Sequence, residues 1–180
     1  MGQIHPELSA ELQAFIRAQK IYFVGTAGRE GRVNVSPKGL DTLRVIDAHR
    51  VAWLNLTGSG NETSAHVQET GRMTLMFCSF EGKPLILRVY GEARVVHPRD
   101  AAWGELSALF PPLPGARQVF DLTVTGAQTS CGFGVPEFTF AGDREMLEAW
   151  TLKKGPDGIH DYWEQKNQVS IDGKPTQILP

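Results

Sequence analysis

Leu56-Thr57-Gly58-Ser59-Gly60-Asn61-Glu62-Thr63-Ser64-Ala65-His66 is the stretch around which the chain is organised. An apolar run, Arg50 to Leu56, reads as a strand that ends in a glycine-spaced polar loop, and the loop turns into a short helix closed by Gly71 at its C′ position. Gly58 and Gly60 let a backbone approach a ligand closely, the hydroxyl and amide side chains add hydrogen-bonding groups, and the first N–H groups of the helix have no partner inside it. A phosphate satisfies such a set. The same residues also suit a plain strand-to-helix turn, because Ser59 and Glu62 stand at capping-box spacing.

Upstream, Asn34-Val35-Ser36-Pro37-Lys38-Gly39 places an amide, a hydroxyl and an ammonium on one face of a strand by period-two alternation. If that strand lies beside the loop, Lys38 joins Thr57, Asn61 and Thr63 around a phosphomonoester; otherwise it is a solvated strand edge. Around these two stretches the pattern is mostly β. Ile21 to Ala27 and Arg32 to Gly39 form a hairpin about a glycine-bounded turn, followed by strands at Thr42 to Ile46 and Arg50 to Leu56. Arg72 to Phe80 is a buried strand, and Leu85 to Val96 a long one that Gly91 bends or bulges. Val119 to Thr129 alternates apolar and polar, bringing the count to about seven strands. Helical patterns occupy Pro6 to Lys20, Arg99 to Leu109, Asp143 to Leu152 and Asp157 to Asn167, and Gln168 to Pro180 reads as a tail. The fold expected is mainly β with peripheral helices, an antiparallel barrel, in one domain spanning residues 1–180.

Composition narrows the function classes. With 180 residues the chain can bury a sizeable core without disulfides or structural metal. A net charge of −2 and a pI near 6.2, with no basic block, provide no footprint for nucleic acid or an anionic membrane surface. No apolar run approaches the roughly 20 residues of a membrane span. Cys78 and Cys131 lie far apart with no secretory signal upstream, which points to reduced thiols in a cytoplasmic protein.

Chemical signatures are sparse: there is no H-E-x-x-H, G-x-S-x-G, Walker loop or strand-linked G-x-G-x-x-G. The five histidines are scattered with no pair at metal-ligand spacing, so no metal site is expected. His66, on the helix of the central loop, reads as a helix-surface histidine, and Glu92 and Arg94 as solvated strand positions.

The succession Val-Asn-Val-Ser-Pro-Lys-Gly, Leu-Thr-Gly-Ser-Gly-Asn-Glu-Thr-Ser-Ala-His, Arg-Val-Tyr-Gly-Glu-Ala and the late Lys-Asn-x-x-Ser-Ile-Asp-Gly resembles the pyridoxamine 5′-phosphate oxidase-like family of FMN-binding split β-barrels, from about Ile21 to Gly173. The resemblance implies an FMN site at the interface of a homodimer. It places Asn34, Val35 and Ser36 toward the flavin and Lys38, Thr57, Asn61 and Thr63 toward its phosphate and ribityl chain, with Gly58, Gly60 and Glu62 completing the cofactor-binding set. Two departures stand out. Pyridoxamine phosphate oxidases proper carry an Arg-Lys pair where this chain has Glu62 and Thr63, and their arginine-rich C-terminal motif is replaced here by the helix around Trp150 and the Ser170-Ile171-Asp172-Gly173 tail. The resemblance therefore implies a flavoprotein oxidoreductase acting on a small organic substrate other than pyridoxamine phosphate. The alternative is a non-catalytic carrier of flavin, deazaflavin or haem on the same barrel. Cys131 to Pro136 resembles a segment that closes over the flavin, and it also suits a glycine-rich bend.

Overall fold

The computed structural model describes residues 2–180 and is built on one eight-stranded antiparallel sheet. After a short strand β1 (Gln3–His5) and helix α1 (Ala10–Ala18) come strands β2 (Tyr22–Ala27), β3 (Val33–Lys38), β4 (Leu43–Asp47) and β5 (Arg50–Leu56). Helix α2 (Glu62–Thr70) leads to β6 (Arg72–Cys78) and β7 (Ile86–Val96), then α3 (Trp103–Ser107), β8 (Ala116–Ser130) and α4 (Met146–Lys166). The strand order is β3-β2-β6-β7-β8-β5-β4, with β1 added on β8.

The expected antiparallel architecture is present, with eight strands in place of about seven. The additional one, β1, has a physical reason. β8 pairs with β7 along one side, whereas β5 covers its other side only from Ala116 to Thr123. Its far end would be an open edge, and Gln3–His5 covers it opposite Ala127 to Thr129. That use of the N-terminal residues also delays the first helix, which begins at Ala10 after Ser9 accepts from the Leu12 N–H, and not at Pro6.

The core lies inside the curled sheet. Tyr22, Val24, Trp53, Leu75, Phe77, Leu87, Phe120 and Leu122 are buried together, with Trp53 and Phe120 stacked at a 4.5 Å centroid separation. The curl depends on Gly91, where the β7–β8 register shifts and a Cβ would stand 2.1 Å from the Thr123 carbonyl oxygen. The sheet does not close by hydrogen bonding: β3 and β4 are the two ends of the strand order. Across this split Lys38 Nζ stands 5.5 Å from the centre of the Trp53 ring.

Two predicted helices, Asp143 to Leu152 and Asp157 to Asn167, are the arms of α4, which bends at Gly155 (φ 67°, ψ 173°) ahead of Pro156. The last residues are no loose tail. Thr176 and Ile178 are buried, the Thr176 carbonyl accepts from Ser64 Oγ and Gln68 Nε2 of α2, and the Arg99 guanidinium donates to the carbonyls of Gln177 and Ile178.

Candidate functional site

The polar face of β3 and the loop ahead of α2 meet in the split. Asn34, Ser36 and Lys38 alternate with the exposed Val33, Val35 and Pro37, so the polar three face inward on the side of Tyr22, Val24 and Thr26. A cavity of about 270 Å³ forms between them and the loop at Gly58, Gly60, Asn61, Glu62 and Thr63. The structure thus brings together eight of the ten residues singled out in the sequence. Val35, 64% exposed, lies on the outer face of the sheet. Thr57 turns away: its hydroxyl donates to the Gly115 carbonyl and accepts from Trp163 Nε1.

The loop is held from behind. Asn167 Nδ2 donates to the Gly58 carbonyl, and the Arg117 guanidinium donates from one nitrogen to the Gly60 carbonyl (2.8 Å) and from another to Asn167 Oδ1 (2.8 Å). Below it, Gln118 links Asn55, Ser64 and His97, which fixes the first turn of α2 to β8. On the β3 side Asn34 Nδ2 donates to Thr63 Oγ1 at 3.2 Å, joining strand to helix directly.

The capping-box expectation fails. Asn61 is the N-cap, with no side-chain cap bond, and the Glu62 carboxylate instead accepts from the Ile171 N–H of the C-terminal segment. The reason is local: with Asn61 as N-cap, Glu62 is the first helical residue, too early to reach back as a box requires. The first helical N–H groups are left for other partners.

Electrostatically the cavity carries two cations, Lys38 and Arg117, against one anion, Glu62. Burial, with the nearby charge of Arg117, lowers the Lys38 ammonium to about 8, and Glu62 offsets part of that effect. Burial likewise lowers Arg117, to about 10, against the pull of Glu62 and Tyr162; its guanidinium keeps its charge at neutral pH. Three further polar atoms of the lining, Ser36 Oγ, Asn61 Nδ2 and Arg117 Nε, are buried with no hydrogen-bond partner. Buried polar atoms are nearly always paired, so three in one small cavity mark a place where something else supplies acceptors.

Arg117 was missed by the sequence reading. It enters β8 just ahead of an apolar run, and the signal was available: Arg117-Gln118 puts two polar residues at the head of a strand whose next members are Val119 and Phe120. His66 was misplaced. It is 1% exposed, not on the helix surface, because Thr63 to Val67 are all buried where α2 passes under the loop. Arg94 is solvent-exposed but paired, sharing Asp121 with Arg50. Among the described residues, His160, Asp161 and Glu164 form the one cluster with metal-ligand proximity, and all three are exposed on α4.

Comparison with known proteins agrees with this architecture. The model of the pyridoxamine 5′-phosphate oxidase family matches residues 8–131. The chain belongs to the pyridoxamine 5′-phosphate oxidase family. It is 35% identical to a pyridoxamine 5′-phosphate oxidase family protein, ustO, of Aspergillus flavus, over 97% of this chain and 78% of that protein. A putative pyridoxamine 5′-phosphate oxidase from Lactobacillus delbrueckii is similar in structure, with a TM-score of 0.53 at 21% identity, covering 68% of this chain and 93% of the other. The FAD-binding protein of Mycobacterium smegmatis superposes with a TM-score of 0.50 at 16% identity, over 69% and 96% of the two chains. At such identities these structures establish the family's split-barrel fold for the chain. No helix among the described residues is long and apolar enough to cross a membrane.

Proposed function

We propose that this family member binds FMN in the split, with the phosphate in the cradle of Lys38, Arg117, Ser36, Asn61 and Thr63, and acts as a flavin-dependent oxidoreductase on a small organic substrate. The observation that carries the reading is the set of orphaned buried atoms, Ser36 Oγ, Asn61 Nδ2 and Arg117 Nε, beside the buried Arg117 and half-buried Lys38 charges. A phosphate supplies the acceptors these donors lack and the charge that two cations need. The Arg-Lys pair of the pyridoxamine phosphate oxidases is replaced in this scheme by Lys38 from β3 and Arg117 from β8, which line the same cavity.

The chain's own residues bind and orient. Asn34 bridges β3 to Thr63 and holds the strand against the helix start, and Asn167 and Arg117 tie down the Gly58 and Gly60 carbonyls. Bound FMN supplies the hydride or electron transfer, so no side-chain nucleophile is required. Nothing in the cavity resembles an arginine-rich grip for a second phosphate, which argues against pyridoxamine phosphate as substrate. The chain acts as a homodimer in this proposal: Val33, Val35 and Tyr90 leave an apolar stripe on the outer face of the sheet for a second copy. The free Cys78 and Cys131 fit a reducing, cytoplasmic setting.

Protein purified from a flavin-replete host is expected to be yellow, to release FMN on denaturation and to sediment as a dimer. A colourless protein that takes up no added FMN sinks the proposal. Carriage of haem or a deazaflavin is the second reading, supported by the buried, incompletely bonded imidazole of His66. A Soret band on adding haem that His66→Ala abolishes would favour it over the flavin.

A further inference from the structure

Beside the phosphate cradle lies a second, larger cavity of about 570 Å³, roofed by Val169 to Ile171 of the C-terminal segment. The two adjoin, sharing Asn34, Ser59, Gly60 and Glu62 in their linings. The roof is latched: Asp172 pairs with Arg32 and accepts from its backbone N–H, and Glu62 accepts from the Ile171 N–H.

His66 lines this second cavity and is 1% exposed. Its Nδ1 is 3.1 Å from Thr26 Oγ1, while its Nε2 is buried with no partner. The partners of Thr26 bear on which nitrogen carries the proton. Thr26 Oγ1 accepts from Asn34 Nδ2 at 3.4 Å, and for its own O–H the acceptor in reach is His66 Nδ1. With Thr26 donating to Nδ1, the ring proton of His66 sits on Nε2, an unspent donor facing the cavity.

We propose that His66 is a ligand-recognition residue, whose Nε2–H donates to an acceptor atom on the ribityl or ring portion of the flavin. The inference rests on the flavin reading and adds a polarity to it. The half-buried Lys38 and the buried Arg117 are in the smaller cavity, which suits a compact dianion. In the larger one Arg32 is already neutralised by Asp172 and Lys166 is exposed at the rim, while Glu62 borders both cavities. Uncharged acceptors fit there better than a second phosphate, and the larger part of the ligand fits the larger space.

The test titrates FMN and riboflavin by flavin fluorescence against wild-type protein, His66→Leu and Lys38→Ala. His66→Leu is expected to weaken both flavins about tenfold, the loss of one buried hydrogen bond. Lys38→Ala is expected to weaken FMN alone, because riboflavin has no phosphate. Unchanged affinities in His66→Leu overturn the role of His66, and a loss for FMN but not riboflavin overturns the polarity. Wild-type protein that binds neither flavin overturns the flavin reading itself. A measurement that needs no folded variant is the histidine ¹⁵N spectrum of wild-type protein. It is expected to show His66 as the Nε2–H tautomer, with that resonance moving on addition of FMN; an Nδ1–H tautomer overturns the inference directly.

Discussion

Lys38 offers the sharpest prediction, because its environment sets both a cost and a pH window. In the unliganded protein burial and the Arg117 charge lower its ammonium from the usual 10.5 to about 8. At pH 7 it is mostly charged and ready for a phosphate; at pH 9.5 only about one molecule in thirty remains protonated, by the ordinary titration law. A bound dianion restores the charge, so binding at high pH must take up a proton. The FMN affinity is therefore expected to fall about 30-fold between pH 7 and 9.5, while the phosphate itself stays dianionic throughout. Fluorescence titrations at a series of pH values measure it. Lys38→Arg, charged over the whole range, should bind with little pH dependence, and Lys38→Ala weakly and with equally little. A wild-type affinity that does not change up to pH 9.5, or a Lys38→Ala protein that loses affinity with the same profile, refutes the reasoning. Stability carries the same information with opposite sign. A lysine whose folded pKa is depressed holds fewer protons in the native state than in the unfolded one between about 8 and 10.5, so its penalty is full below pH 8 and fades as pH rises through that window. The drop from 10.5 to about 8 corresponds to at most about 3 kcal/mol. Lys38→Met is expected to be more stable than wild type at pH 7, with the gap closing toward pH 10.5.

Three further outcomes test the frame around the site. Gly91→Ala puts a Cβ against the Thr123 carbonyl at the β7–β8 register shift and should cost about 1–3 kcal/mol in urea unfolding; a neutral effect would mean that the sheet does not curl there. Removing Lys174 to Pro180 exposes the pocket of Ile178 and leaves Ser64 Oγ without its acceptor, for a loss of about 3 kcal/mol, read as a lowered denaturation midpoint. At Asp121 burial works to raise the pKa, but the hydrogen bonds and charges of Arg50 and Arg94 outweigh it and hold the carboxyl below its usual range. Stability from this group is present at neutral pH and is lost as the carboxyl protonates below about 4, so Asp121→Asn should be less stable than wild type at pH 7 and converge with it in acid, as measured by denaturation across that range.

The strands were legible because their signals are local. Alternation separated Asn34, Ser36 and Lys38 from Val33 and Val35, and a mid-strand glycine marked the bulge at Gly91. β1 was not legible, since Gln3-Ile4-His5 has no strand character apart from the uncovered end of β8 that it protects. The same holds for the C-terminal segment: a polar run such as Gln168 to Pro180 resembles a tail until its backbone carbonyls are seen to satisfy α2 and Arg99. Its order comes from partners about a hundred residues away for α2 and nearly eighty for Arg99, and no window of sequence contains them.

At the site the division follows chemistry and not distance along the chain. Residues that offer hydrogen-bonding groups from a strand face or a glycine loop announce themselves, and eight of those anticipated do line one cavity. What stayed hidden are the groups whose role depends on a three-dimensional deficit. Arg117 has the look of a routine strand-entry cation, yet its Nε is buried and unmatched while its other nitrogens hold the loop. His66 looks like a surface residue of a short helix, yet Thr26 consumes one ring nitrogen and leaves the other facing an empty volume. An orphaned atom is a property of everything around it. It is for that reason the last feature to be visible in its sequence.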